Sequence, residues 1–179
     1  FSAILGFSTM TASQETTTSE MDEKAQQLRY RNRRIIKAVN NRINAEFNEG
    51  FAIYQSNGVN GDCLSHYATG YRWHEIKGFP MSVEYRLETD LASLQSKLVV
   101  RVMPKRNTTM LDMKALLPDS GPFGSLGLIA KPGFYQREFL LPEEDETRCA
   151  AVIYEKVREI YRVVAAYFDV TVPGTVTEL

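Results

Sequence analysis

The stretch PMSVEYRLE, residues 80–88, decides the fold. Met81, Val83, Tyr85 and Leu87 alternate with Ser82, Glu84, Arg86 and Glu88. In an extended chain this puts an apolar row on one face and a polar row on the other. Such alternation belongs to a strand in a sheet with one covered face. Working outward, residues 97–103 repeat the pattern, with Leu98, Val100 and Val102 inward. HYATGYRWHEI, residues 66–76, reads as a strand with a bulge expected at Gly70. FAIYQS, residues 51–56, precedes the turn signals Asn57-Gly58 and Asn60-Gly61. Residues 134–141 supply a fifth strand. Connections this short predict an antiparallel meander, because a parallel sheet would need helices between its strands.

Two amphipathic helices bracket these strands. The first is predicted over residues 22–48, with Leu28, Ile35, Ile36, Val39, Ile43 and Phe47 on one stripe. Ser19 and Asp22 are its candidate caps, and Gly50 its C-terminal stop. The second is predicted over residues 142–168. Pro142 would open it, Glu143, Glu144, Asp145 and Glu146 would face its dipole, and Ile153, Val157, Ile160 and Val164 would form its stripe. A short helix is expected over residues 109–117, capped by Thr108 or Thr109. The fold class is therefore α+β: an antiparallel four- to five-stranded meander sheet flanked by a long N-terminal and a long C-terminal helix packed on one face.

The 179 residues fit a single domain, expected over residues 21–172, followed by a tail over 173–179. Residues 1–20 are expected as a flexible or docking segment: the apolar FSAILGF is either a vector remnant or a short docking element, and the polar run after it shows no periodicity. With 44% apolar and 24% charged residues the chain is globular, not disordered. A net charge of −1 excludes a protein that is basic overall, so any nucleic-acid binding must come from a local patch. Two cysteines cannot build a disulfide framework and point to a reducing compartment, hence an intracellular, cytoplasmic and soluble expectation. No apolar run is long enough to span a membrane, and none is expected as a partner.

The least ordinary feature is the charge of the first helix. Between residues 24 and 45 stand seven basic residues (Lys24, Arg29, Arg31, Arg33, Arg34, Lys37 and Arg42) and no acidic one. A solvated helix face normally mixes signs. Arg29, Arg33, Arg34, Lys37, Asn41 and Asn44 form a candidate ridge of cations and amides opposite the apolar stripe. An acidic protein surface is its expected partner, and nucleic acid is the alternative. A solvated face, partly neutralised by the acidic stretch at residues 143–146, is the plainer explanation.

Other constellations are weaker. Glu46, Asp62, Glu75 and Lys77 follow the carboxylate-and-lysine order of PD-(D/E)xK nucleases, which this segment resembles over residues 46–77. That resemblance would imply a divalent-cation site in which carboxylates hold the metal and the lysine orients water. Asp62 sits in a Gly-rich turn, however, and another strand follows Lys77 where those enzymes place a helix. Cys63 and His66 have metal-ligand spacing but lack a second tight pair; His74 and Cys149 are the only further donors considered for zinc. The Gly-rich loop over residues 121–127 fits no phosphate-binding motif. Its Phe123 and Leu126 are candidate apolar tips that insert into a partner. Tyr71 and Trp73 alternate on one strand face, as base-stacking aromatics would, but without the accompanying RNA-recognition motif they read first as packing residues. The sequence therefore predicts a non-enzymatic interaction or adaptor domain within a complex or homo-oligomer, with no catalytic residue, metal or cofactor. The nucleic-acid accessory protein and the nuclease follow in that order.

Overall fold

The computed structural model describes residues 11–47, 53–56, 66–76, 81–105, 109, 111–112, 123–142 and 145–167. In chain order they form α1 (Thr11–Phe47), β1 (Ile53–Ser56), β2 (Tyr67–Ile76), β3 (Met81–Asp90), β4 (Ser96–Pro104), β5 (Ile129–Lys131), β6 (Phe134–Leu140) and α2 (Glu146–Tyr167). The architecture is α+β, with both long helices on one face of an antiparallel sheet. The strand order is β1-β2-β3-β4-β6-β5. The first four strands make the expected meander. The expected fifth strand, β6, continues it by pairing with β4, and the three-residue β5, not expected from the sequence, lies outside as a sixth, edge strand.

The apolar row of residues 81–87 faces the helices, as its alternation predicts: Met81, Val83, Tyr85 and Leu87 are all fully buried. Leu98, Val100 and Val102 continue this face on β4, and Tyr135 on β6. Ile35, Ile36, Val39, Ile43 and Phe47 of α1 and Ile153, Val157, Ile160, Tyr161 and Val164 of α2 cover it. Each such side chain, fully buried, contributes about 1.5–3 kcal/mol before conformational entropy is subtracted. Asp90 shapes the β3–β4 turn: its Oδ1 accepts from the backbone N–H groups of Ala92 (2.9 Å) and Ser93 (2.7 Å). That arrangement tolerates the left-handed φ of 61° at Leu94.

The helix bounds differ from expectation. α1 begins at Thr11, so Ser19 and Asp22 lie inside it, and residues 11–20 are helical rather than a leader. Extending an existing helix adds one hydrogen bond per residue without a new nucleus, so no apolar periodicity is needed there. α2 begins at Glu146, four residues after Pro142. Asp145 is its N-cap, accepting from the Arg148 N–H at 2.9 Å. Of the short helix expected over residues 109–117, only residues 109, 111 and 112 are described, and Thr109 and Asp112 bond reciprocally there. Thr109 Oγ1 accepts from the Asp112 N–H (3.1 Å), and Asp112 accepts in return from the Thr109 N–H (3.0 Å), a capping box.

Gly70 makes no bulge. The β2–β3 register runs unbroken through the Gly70–Leu87 pair. The glycine instead seats α1: a Cβ at Gly70 would lie 2.6 Å from the Asn32 carbonyl carbon and oxygen and 2.8 Å from the Arg33 nitrogen. Only a residue without a side chain lets the helix backbone come that close. Buried Asn32 ties the same crossing, donating from Nδ2 to the Ala68 carbonyl and to Thr89 Oγ1, both at 2.9 Å.

Candidate functional site

On α1 the predicted ridge divides. Arg33, Lys37 and Asn41 are exposed, as expected, and exposed Tyr30 joins them at helical spacing. The Arg33 guanidinium stands 6.0 Å from the Tyr30 ring centroid. Arg29 is only half-exposed. Among the described residues, no carboxylate lies within ion-pair distance of Arg29, Arg33 or Lys37.

Two members leave the ridge. Arg34 is exposed but bidentate to Glu146 in the first turn of α2, with Nη2–Oε1 at 2.5 Å and Nε–Oε2 at 3.1 Å. The Arg34 hydrogen bond holds the Glu146 carboxyl below its usual range, against the opposing effect of burial. Asn44 is half-buried, with its Oδ1 enclosed and unbonded, so it is not part of an open surface. It lies on the last turns of α1, where α2 packs alongside.

The carboxylate-and-lysine order does not assemble. Glu46 faces α2, where Arg158 Nε donates to both its oxygens (2.8 and 2.9 Å) and Arg162 Nη2 to Oε1 (2.9 Å). The Tyr154 hydroxyl donates to Oε2. Burial alone would raise the Glu46 carboxyl, but these three donors outweigh it and the pKa is lowered. Glu75 pairs with Ser82 and therefore points from the opposite face of the sheet. Glu46 and Glu75 thus cannot share a cation. Asp62, Cys63 and Lys77 lie outside the described residues. Among the described residues no group of three or more His, Cys, Asp or Glu side chains is placed to hold a metal.

The apolar loop tips are corrected as well. Phe123 is fully buried and Leu126 nearly so. Phe123 packs on Tyr135 at 5.4 Å between centroids, and Arg137 donates to the Leu126 carbonyl. Both side chains fill this chain's own core, which the Gly-rich spelling concealed. His74, considered only as a metal ligand, is buried between the sheet and both helices. Its Nε2 sits 2.8 Å from Asn40 Oδ1, and its Nδ1 meets the Tyr161 hydroxyl. The neutral tautomer protonated on Nε2 satisfies both bonds. Burial, aided by nearby Arg72, lowers its pKa to about 4.

A second site lies on the sheet face away from the helices, where the alternating aromatics Tyr71 and Trp73, read first as packing residues, stand half-buried. Tyr71, Trp73, Ser82, Glu84, Met103 and Pro104 line a depression of about 420 Å³ there. The register explains its shape. Trp73 stands opposite Glu84, Glu84 opposite Arg101, and small Ser82 lies between Glu75 and Met103. A serine flanked by long side chains leaves a hollow above itself. Beside it on the same face runs a charge lattice: Arg86 Nε is 3.1 Å from Glu84 and its Nη2 2.9 Å from Glu88, and Lys97 bridges Glu88 and Glu138. Arg101 lies 3.8 Å from Glu84 and donates to Gln136 Oε1 at 2.7 Å. Burial raises the Glu84 pKa despite Arg86 and Arg101. The alternation of residues 80–88 signalled the polar face; the cross-strand partners that shape the hollow required the register.

No family model, curated protein or solved structure matches this chain. Fold and site define an α+β protein with two helices on an antiparallel sheet. No described helix is long and apolar enough to cross a membrane.

Proposed function

We propose that this chain is a non-enzymatic interaction domain that docks an acidic protein segment along the exposed stripe Tyr30, Arg33, Lys37 and Asn41 of α1, with half-exposed Arg29 at its edge. One observation carries the reading. After Glu146 has taken Arg34, and Glu46 has been taken by Arg158 and Arg162, Arg33 and Lys37 stay exposed without a carboxylate among the described residues. A tyrosine beside an arginine on a rigid helix also matches the composition of energetic anchors at interfaces. Exposed Glu20, Asp22 and Glu23 on the same helix would repel a phosphate backbone running its length, which favours a short acidic segment over nucleic acid. Phe123 and Leu126 have no part in this role.

The test is fluorescence anisotropy at low salt with a labelled Asp/Glu-rich peptide, beside labelled single-stranded and duplex oligonucleotides. Peptide binding is expected to fall about five- to tenfold for Arg33→Glu and for Lys37→Glu, and to weaken with salt. Unchanged peptide binding in both variants, or tighter binding of the oligonucleotides, overturns the reading.

A further inference from the structure

The hollow on the sheet face away from the helices has a composition that selects its ligand. Its walls are two aromatic rings, a thioether and a proline, and its polar groups are the Ser82 hydroxyl and the Glu84 carboxylate. The carboxylate is an incomplete acceptor. Oε1 is enclosed without a hydrogen bond, although Arg86 Nε lies 3.1 Å from it. Arg86 and Arg101 approach it from the lattice side, each with a second partner, Glu88 for one and Gln136 for the other. They hold Glu84 in place, and neither of them lines the hollow, where Glu84 is the charged group.

Three classes of ligand can be compared against this lining. A hard metal ion wants about six or more oxygens, and Ser82 and Glu84 cannot supply them. An anion would meet the Glu84 carboxylate and four apolar walls. A weakly hydrated organic cation gains from every part: ring faces attract it, the thioether is polarizable, and a single carboxylate balances its charge. At about 420 Å³ the space falls within the range of small-ligand sites.

We propose that this hollow binds a methylated ammonium head group, with Tyr71 and Trp73 as the cation-facing aromatic walls and Glu84 as the counter-charge. The same head group occurs on a methylated lysine side chain and on a free quaternary amine. Whichever the source, Glu84 is pre-positioned, because Arg86 and Arg101 fix its rotamer before the ligand arrives.

Trp73 is the only tryptophan in the chain, so its fluorescence reports on this site alone. The intact protein is titrated with tetramethylammonium, with a trimethyllysine peptide, and with neopentyl alcohol as the uncharged counterpart of similar shape. Saturable change with the ammonium compounds and none with the alcohol is expected. A peptide binding well below the free amine's concentration range identifies lysine as the source, and equal ranges identify the free amine. Glu84→Gln and Tyr71→Ala should each weaken binding at least about fivefold, with the melting curve checked in both. Tyr71 is half-exposed, so its variant tests the site even if Glu84→Gln disturbs the lattice. An equal response to the alcohol, no saturable response, or unchanged binding in Tyr71→Ala overturns the proposal. So does a response to adenosine without one to tetramethylammonium, which would make the hollow a base-stacking site.

Discussion

Gly70 lies directly beneath the Asn32 peptide, with only 2.6 Å between the position of a missing Cβ and the Asn32 carbonyl. The contact is backbone against backbone, so no rotamer change relieves it. Gly70→Ala must lift α1 from β2 and loosen the two hydrogen bonds that Asn32 makes to Ala68 and Thr89. The expected cost is about 3 kcal/mol, the upper end for overpacking, or a melting temperature lower by roughly 6–12 °C. Calorimetry checks this; an unchanged melt would mean that helix and strand are not so closely seated.

His74 makes stability depend on acid. Folded, its pKa is lowered to about 4 by burial and by Arg72, while the unfolded chain titrates it near 6.5. The unfolded state therefore takes up a proton first. The stabilisation is complete above about pH 6.5 and is lost as pH falls toward 4, by about 3 kcal/mol in all. Tyr161, Asn40 and Tyr85 surround the ring and supply no carboxylate to offset its charge. Urea melts at pH 7 and pH 4.5 should show this slope in the parent and a shallower one in His74→Gln. Identical slopes would place the acid sensitivity elsewhere.

Much of the frame could be read from the sequence. Period-two alternation in residues 80–88 and the helical stripe ending at Ile43 and Phe47 each encode a buried face, and burial is what those patterns report. What such patterns do not report is contact across the sequence. Gly70 reads equally as a bulge or as a seat for a helix until the crossing of α1 is known. The hollow above Ser82 exists only because register puts Glu75 and Met103 beside it and Trp73 opposite Glu84. Phe123 and Leu126 looked like loop tips because glycines surround them, while both are buried in the core, Phe123 against Tyr135, distant in the chain. The ridge was half legible: Arg33 and Lys37 followed from the helical wheel, but pairing of Arg34 with Glu146 depends on where α2 begins.

Phe123 separates a core role from a docking role. Its ring is fully enclosed against Tyr135, so Phe123→Ala leaves a cavity that a close-packed interior fills poorly. A loss of about 3–5 kcal/mol is expected in urea denaturation. A residue held out for a partner would leave the melt unchanged while weakening binding, and that outcome would overturn the assignment to the core.

Glu46 gathers Tyr154, Arg158 and Arg162 onto the end of α1 and so fastens the two helices together. Its folded pKa is lowered, the hydrogen bonds from these donors outweighing burial, so the clamp's stabilisation is present above the unfolded carboxylate range. It is lost as pH falls through the lowered folded value. Glu46→Gln keeps the shape but removes the charge that both arginines face. At pH 7 it should cost about 1.5–3 kcal/mol, the range for a hydrogen bond to a charged group. As acid protonates Glu46 in the parent, the two proteins should converge. His74, common to both, cancels from the comparison, so the difference between their urea midpoints isolates the clamp. A gap that stays constant from pH 7 down to acid would mean that the side chain holds the helices by shape alone.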